Sequence, residues 1–257
     1  MRDSRSGWIQ LSSAEFFLIW TTTGLGEQLP PVLDIEHIGR TPARRAEYVE
    51  AASRTLEERD LGTVADPAPD LARVLRVLAE PEVSLDLRAY GESTPLYGFA
   101  AAGRTAAAVA ARVAGEVRLG MVRDTALAEA LLGSLPAKPP GSGRPANVSV
   151  VDYERACQEG AEDGVSGFVR VLHEAGVRPP EASTVAQALV TRRGGGQLGA
   201  SARGRHGRTI RTPSIVSWLD TAEGRYALRR HGEWISITPV DLPRLASMAD
   251  EMLDTVR

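Results

Sequence analysis

Apolar residues near the start of the chain recur at helical spacing. Ser12 opens a Ser-x-x-Glu capping box, and a short extended run at residues 32–35 after this first helix favours a strand. Thr41, followed by proline, begins a second helix that ends at Gly62. A third helix follows Asp70, with apolar residues at positions i, i+3, i+4 and i+7. The pattern therefore predicts three helices before any change of period.

After Pro81 the period of the pattern changes to two, because apolar residues alternate with polar ones from Val83 onward. Short turns containing glycine separate the strand-like segments that follow. These segments are residues 83–88, 95–102, 105–113 and 116–122. Strands so close in sequence form an antiparallel meander. Asp124 then caps a fourth helix.

The second half of the chain repeats this order after a Pro/Gly/Ser-rich stretch at residues 136–146, which is typical of a linker. Three helices are predicted at residues 150–158, 164–175 and 181–193, and the Gly194–Gly196 run closes the third of them. Four strands are predicted at residues 197–203, 209–220, 225–231 and 233–238. A last helix begins at Asp241 and runs towards Val256.

The two halves also share a local signature. Gly-Glu opens a strand at Gly115 and again at Gly232, and in both places an aspartate nine positions later caps a helix, Asp124 and Asp241. We therefore expect an α+β fold with quasi-twofold symmetry, in which helices flank antiparallel strands. The expected single domain, residues 1–257, consists of halves 8–135 and 147–257 joined by 136–146. Such a duplication is more typical of a symmetric scaffold than of a catalyst.

Composition narrows the class of protein. Apolar residues make up 43% of the chain and the net charge is −3, which argues against a general binder of nucleic acid or membrane surfaces. No apolar stretch is long enough for a signal peptide or a membrane span, so a cytoplasmic protein without membrane insertion is expected. Cys157 is the single cysteine, which excludes an intramolecular disulfide and a cysteine metal cluster.

Motifs for catalysis are missing. Gly24-x-Gly26 lacks the third glycine of a dinucleotide loop, and the chain has neither a Walker sequence nor a Gly-x-Ser-x-Gly elbow. We therefore predict no catalytic residue, no metal ligand and no cofactor. If the chain were an enzyme with an unrecognised site, the nearest polar cluster would be Asp220, Arg225 and His231.

Residues 192–211 hold six arginines and His206. An anion or nucleic-acid site is one interpretation of this stretch. A hairpin with solvated arginines is favoured, since the chain is acidic overall and no aromatic residues are interleaved. A third interpretation is a basic hairpin that contacts an acidic or polar protein surface.

Six segments occur in a characteristic order over almost the whole chain. They are LSSAEFFLIW, GRTPARRAE, EVSLDLRAYG, GGGQLGASAR, WLDTAEGRY and GEWISITPVD. In these segments the chain resembles the EspG family, the ESX (type VII) secretion-associated chaperones of actinobacteria. The resemblance implies a non-enzymatic cytosolic protein that binds the exposed helical tip of a PPE protein in its PE–PPE heterodimer, or an analogous helical client, for export.

The resemblance also implies a contact surface made mainly of the sheet and C-terminal helices. On that basis we expect partner contacts on the hairpin at residues 203–210 and on the strand that follows Gly224. The expected contact residues are Arg203, Arg205, Arg208, Ile210, Arg225, Leu228 and Arg230. Two alternatives stay open: a nucleic-acid-binding regulator that uses the arginine hairpin, and an enzyme that uses the cluster named above.

Overall fold

The computed structural model describes residues 7–26, 28–91, 94–204 and 207–256. The first half contains β1 (Ile9–Ser12), α1 (Ser13–Thr22), α2 (Pro42–Glu57), α3 (Pro69–Ala79), β2 (Val83–Tyr90), β3 (Leu96–Ala102), β4 (Ala107–Val113), β5 (Glu116–Val122) and α4 (Leu127–Leu132). The second half contains β6 (Ala146–Ser149), α5 (Val150–Glu174), α6 (Pro179–Val190), β7 (Arg192–Arg203), β8 (Thr209–Arg211), β9 (Val216–Thr221), β10 (Arg225–His231), β11 (Trp234–Pro239) and α7 (Leu242–Asp254). This mixture of helices and antiparallel strands confirms the predicted fold class.

Eleven strands in the described residues form one antiparallel sheet, with ten in the order β1-β5-β4-β3-β2-β7-β9-β10-β11-β6 and β8 paired beside β7. The halves meet where β2 pairs with β7, from Val83 opposite Ala202 to Tyr90 opposite Gly195. Counted outward from this junction, the strands of one half correspond in order to those of the other. This strand order is the one expected for a twofold repeat. That the two halves superpose in three dimensions stays a prediction.

Helices cover parts of both faces of the sheet. On the face we name the front, α1 and α3 pack on strands of the first half from β3 outward, and α5 and α6 pack on strands of the second half, mainly β6, β9 and β11. On the back face α4 packs on β3 and β4 and α7 on β2 and β7, where Leu85, Leu198 and Trp218 are buried. The alternation of side chains along each strand fixes this division, because neighbouring residues point to opposite faces. The predicted flanking helices are thus confirmed.

The capping box at the start of α1 is confirmed. The Ser12 hydroxyl accepts from the Glu15 backbone N–H, and the Glu15 carboxylate accepts from the Ser12 N–H at 2.8 Å. Glu15 also accepts hydrogen bonds from Thr55 and Arg59. Burial raises the pKa of Glu15, but these hydrogen bonds outweigh it and hold the pKa below its usual value. The outer helix α2 is fixed to α1 through this network.

Helix α5 is broken at Gly164, whose φ of 68° and ψ of −155° are not helical. The two predicted helices at 150–158 and 164–175 are therefore confirmed as segments of α5. A Cβ at Gly160 would lie 3.1 Å from Phe168, and a Cβ at Gly167 would lie 2.6 Å from Asp163. Glycine at both positions lets the second segment fold back closely onto the end of the first.

Several local predictions were wrong. Residues 31–33 form a 3₁₀ turn instead of the strand expected at 32–35. The Gly194–Gly196 run lies inside β7 and does not close a helix, because a Cβ at Gly196 would lie 2.3 Å from the Trp218 ring that packs over it. The strand expected at 209–220 is two strands, β8 and β9. The edge strands β1 and β6 were not predicted.

The expected linker is a fixed part of the fold. The backbone of Arg225 donates to the Pro139 carbonyl and accepts from the Gly141 N–H, both at 2.9 Å. A Cβ on Gly141 would lie 2.1 Å from the Tyr226 ring, whose hydroxyl donates to the Ser142 carbonyl at 3.0 Å. The segment joining the halves is therefore held against β10 along much of its length.

Candidate partner-binding face

The centre of the front face is left open between the two groups of helices. A row of side chains crosses it from β3 to β10, and we name this row the central strip. It consists of Tyr97, Arg88, Gln197, Ser217 and Leu228, which are cross-strand neighbours in that order. Arg88 and Gln197 are exposed, and the other three are half-buried. The strip is polar at the junction of the halves and more apolar at both ends.

The alternation in β2 explains why the strip faces solvent. Leu85 and Leu87 point to the back face and are completely buried under the helices there. Asp86 and Arg88, one position away in each case, must therefore point to the front. These two polar residues, which alternate with apolar ones, thus lie at the centre of the front face, between the two groups of helices, where Asp86 is half-buried and Arg88 is exposed.

At the β3 end of the strip, Arg112 fixes the Tyr97 ring. The Arg112 guanidinium carbon lies 4.5 Å from the centre of this ring, and its Nη2 lies 3.1 Å from the Asp34 carboxylate. Asp34 follows the 3₁₀ turn after α1. The aromatic face of Tyr97 is consequently occupied by a cation that is itself ion-paired.

Beside the strip, Arg211 lies over the sheet and pairs with Asp86. Arg211 Nη1 and Nη2 lie 2.5 and 2.9 Å from the two Asp86 oxygens. A Cβ at Gly199 would lie 2.1 Å from Arg211 Nη2, so the absence of a side chain at this position makes room for the guanidinium. The hydrogen bonds that Arg211 donates to Asp86 raise the pKa of Arg211 further above its ordinary value, so the guanidinium stays charged.

The residues expected on the arginine hairpin do not share one face. Ser201 pairs with Arg211 and Arg203 pairs with Thr209, which places Arg203 on the front face. By alternation Ile210 and Arg208 point to the back side of the hairpin. Both are exposed, Ile210 to 57%. Arg205 lies outside the described residues.

Strand β10 presents two of the expected residues on the front face. Leu228 ends the central strip, and Arg230 lies two positions further along the same face. Arg229, between them, points to the back face and pairs with Glu251 of α7 at 2.7 Å. The structure therefore brings Leu228 and Arg230 to the strip and Arg203 to the neighbouring hairpin.

The prediction that Arg225 contacts a partner is wrong, because its side chain is completely buried and cannot form part of a contact surface. Arg225 Nε lies 2.6 Å from Asp220 Oδ1, and Nη2 donates to the Pro136 carbonyl at 3.3 Å. Its guanidinium connects the turn between β9 and β10 to the segment that joins the halves. The charged pair Asp220 and Arg225 in the WLDTAEGRY motif therefore has a structural role.

The structure does not bring together the cluster named for an enzyme. Asp220 and Arg225 are paired at the start of β10, whereas His231 is at its end. His231 is six positions along the extended strand from Arg225, which corresponds to about 20 Å. The cluster has no common site in which to act on a substrate.

Asp86, Arg88, Gln197 and Arg211 were not predicted as site residues. The sequence contained one signal for them, the polar alternation of β2, but that pattern is the same for a strand that meets solvent and for one that meets a partner. Asp86 and Arg211 are 125 positions apart in the chain, so their pairing required the fold.

One large antiparallel sheet with helices on both faces and an open centre on its front face defines the class of fold. The chain belongs to the EspG family, whose model matches residues 12–251. In fold it is similar to the Mycobacterium tuberculosis type VII secretion system chaperone EspG5, solved in complex with the PE25-PPE41 dimer. The two share 18% identity over 97% of each chain, with a TM-score of 0.73.

No curated protein matches the chain in sequence. Among the described residues, no helix has both the length and the apolar character needed to cross a membrane. The family membership and the shared fold are therefore the comparisons that bear on function.

Proposed function

We propose that this protein is a cytoplasmic type VII secretion chaperone that binds the helical tip of a PPE-like protein in a PE–PPE pair. The observation that carries the proposal is the open centre of the sheet, bounded by helices on both sides, in a chain of the EspG family. The solved relative EspG5 binds a PE–PPE dimer on the same fold. This chain acts by binding, and no residue has a catalytic role.

The central strip suits a reversible contact with a helix end. An α-helix is about 10–12 Å wide with its side chains, and neighbouring strands are about 4.8 Å apart, so a helical tip spans two to three strands. Gln197 and Ser217 lie within such a span and offer hydrogen bonds, while Leu228 offers apolar surface on the next strand. An exposed apolar tip is otherwise an aggregation hazard in its free state.

The rigidity of the strands that carry the central strip favours such recognition. Strands β2, β7 and β9 are each paired on both sides, and the back-face helices pack beneath them. Little conformational entropy is then lost on binding, because the strip is already ordered. The same rigidity makes the strip a good place for a blocking substitution.

The test is co-expression of this protein with each PE–PPE pair of its own genome, followed by size-exclusion chromatography and calorimetry. Wild type is expected to form a 1:1:1 complex with at least one pair. Gln197→Trp places a large ring in the middle of the strip and is expected to abolish that complex. Glu50→Trp, an exposed position on α2, is the control and is expected to bind normally.

Failure of wild type to bind any pair would contradict the proposal. Binding of wild type together with undiminished binding of Gln197→Trp would keep the chaperone function and reject the strip as its site. Circular dichroism of both variants establishes that the sheet is intact.

A further inference from the structure

The five central strands β2, β3, β7, β9 and β10 have an unusual balance of charge. They carry seven arginines and two carboxylates, in a chain whose net charge is −3. Both carboxylates are already ion-paired, Asp86 with Arg211 and Asp220 with Arg225. The middle of the sheet is therefore a local positive region on an acidic protein.

Three arginines of these strands remain available on the front face. Their side chains are exposed, and none has a carboxylate within ion-pair distance among the described residues; they are Arg88, Arg203 and Arg230. Glu82 precedes β2 near Arg203, but its carboxylate is 3.8 Å from Arg104 instead. Arg230 donates through Nε to the Gly232 carbonyl, which leaves its positive charge uncompensated.

These arginines lie within the central strip and to one side of it. Arg88 belongs to the strip, Arg203 is six residues along β7 from Gln197, and Arg230 is two residues along β10 from Leu228. Strand geometry places Arg203 about 20 Å from the middle of the strip, and Arg230 about 7 Å from its end. Because β7 and β10 are both antiparallel to β9, Arg203 and Arg230 lie on the same side of the strip. A bound helix tip would therefore meet Arg88 within the strip and Arg230 beside it.

We propose that the client tip bound here carries acidic side chains around its apolar centre, and that Arg88 and Arg230 select it by charge. This inference rests on the proposed function and specifies its partner. Arginine is the residue best suited to the role, because its planar guanidinium binds a carboxylate with two parallel hydrogen bonds. Charge complementarity of this kind accelerates association and rejects wrong partners.

A nucleic acid fits this surface less well than an acidic protein. Single strands bind sheet faces by stacking bases on free aromatic rings, and here the Tyr97 ring is already covered by Arg112. Three unpaired arginines on an acidic chain also provide little attraction for a long polyanion. The apolar end of the strip at Leu228 needs an apolar complement, which a phosphate backbone lacks.

The experiment uses the PE–PPE pairs that bind wild type in the co-expression test. Arg88→Glu/Arg230→Glu is compared with Arg54→Glu/Arg73→Glu, which makes the same change in net charge at exposed positions on α2 and α3. The strip variant is expected to lose affinity about tenfold or more, whereas the control stays within about twofold. Wild-type affinity is expected to fall as salt rises from 50 to 500 mM.

Charge reversal in the client completes the test. Replacing the acidic residues of the bound PPE tip by arginine is expected to weaken binding to wild type and to restore binding to Arg88→Glu/Arg230→Glu. Equal affinity of the strip and control variants would overturn the inference, as would wild type preferring a 30-base-pair DNA duplex to every pair. Wild-type binding is measured separately from the effect of the charge reversal. If wild type binds a pair but the strip and control variants have equal affinity, the charge inference is rejected and the chaperone function is kept. If wild type binds no pair, both are rejected.

Discussion

Asp86 and Arg211 form an ion pair through both carboxylate oxygens, and this pair joins the two halves of the chain on the front face of the sheet. Asp86 belongs to the first half and Arg211 to the hairpin of the second. Gly199 lies beneath the guanidinium and leaves it room. The hairpin that carries Arg203 is therefore held in position by a residue from the opposite half.

Gly199→Ala is expected to displace Arg211, because the new Cβ would lie 2.1 Å from Nη2. The flexible side chain can move away, and Arg211 is half exposed, so the free energy of unfolding should fall by no more than about 1 kcal/mol. Affinity for the client should fall several-fold, because the hairpin loses its anchor. Urea unfolding and calorimetry measure the two effects.

A double-mutant cycle provides the control for this prediction. Asp86→Ala should reduce stability and affinity in the wild-type background and have little further effect in Gly199→Ala, because the ion pair is already broken there. Additive effects of the two substitutions would mean that Arg211 keeps its partner beside an alanine.

Arg225→Met should strongly destabilise the fold. Arg225 is completely buried, and the Asp220 side chain is only 16% exposed, so removal of the cation leaves a carboxylate almost without solvent. We expect a loss of about 3–5 kcal/mol in the free energy of unfolding, measured by urea denaturation. Client affinity of the folded fraction should not change, since Arg225 does not reach the surface.

Asp220→Asn in the Arg225→Met background should recover much of the lost stability, because the uncompensated charge is then removed. A mild effect of Arg225→Met with a large loss of client affinity would instead return Arg225 to the contact surface.

The elements that could be predicted from the sequence are those with a clear local periodicity. Helices α1, α3 and α7 and strands β2 to β5 each contain enough residues for their period to be recognised. Strands β1 and β6 have four residues each, too few for a period, and exist because they pair with β5 and β11. Gly194–Gly196 resembles a helix end by composition, but the Trp218 ring above it requires glycine in a strand.

The candidate site was harder to predict from the sequence, because strand pairing determines which side chains share a face. Arg203, Leu228 and Arg230 were expected from the resemblance, and the structure places them on the front face. Whether they contact a partner stays a prediction. The burial of Arg225 and the opposite orientation of Ile210 depend on strand register, which no single strand reveals.

Cys157 should react slowly with thiol reagents at neutral pH although its residue is exposed. Burial of the thiol raises its pKa, and the negative charge of Glu154 adds to the shift, while a hydrogen bond from Tyr153 opposes it. Thiolate is the reactive form, so the rate should be below that of a free cysteine at pH 7.5 and approach it only as pH rises above the raised pKa.

Two substitutions at neighbouring positions of α5 should change this rate in opposite directions. Glu154→Gln removes a negative charge and should lower the pKa and accelerate labelling, whereas Tyr153→Phe removes the hydrogen bond and should slow it. Stopped-flow labelling over pH 6.5–9.5 gives both rates. Faster labelling of Tyr153→Phe would show that the tyrosine shields the thiol and does not stabilise the thiolate.

The two halves should not fold separately, although each has its own helices and strands. Separation at residue 146 would expose β2 and β7, the central strands of the sheet, as unpaired edges, and would remove part of the back-face cover that α4 and α7 provide together. Residues 1–146 and 147–257 expressed alone should therefore aggregate or lack a cooperative unfolding transition. Co-expressed, they should assemble 1:1, because β2–β7 pairing and the contacts of Gly141 with Tyr226 remain available. Cooperative unfolding of either fragment alone would show that the duplication produced two independent domains, and the central strip would then lie at a domain interface.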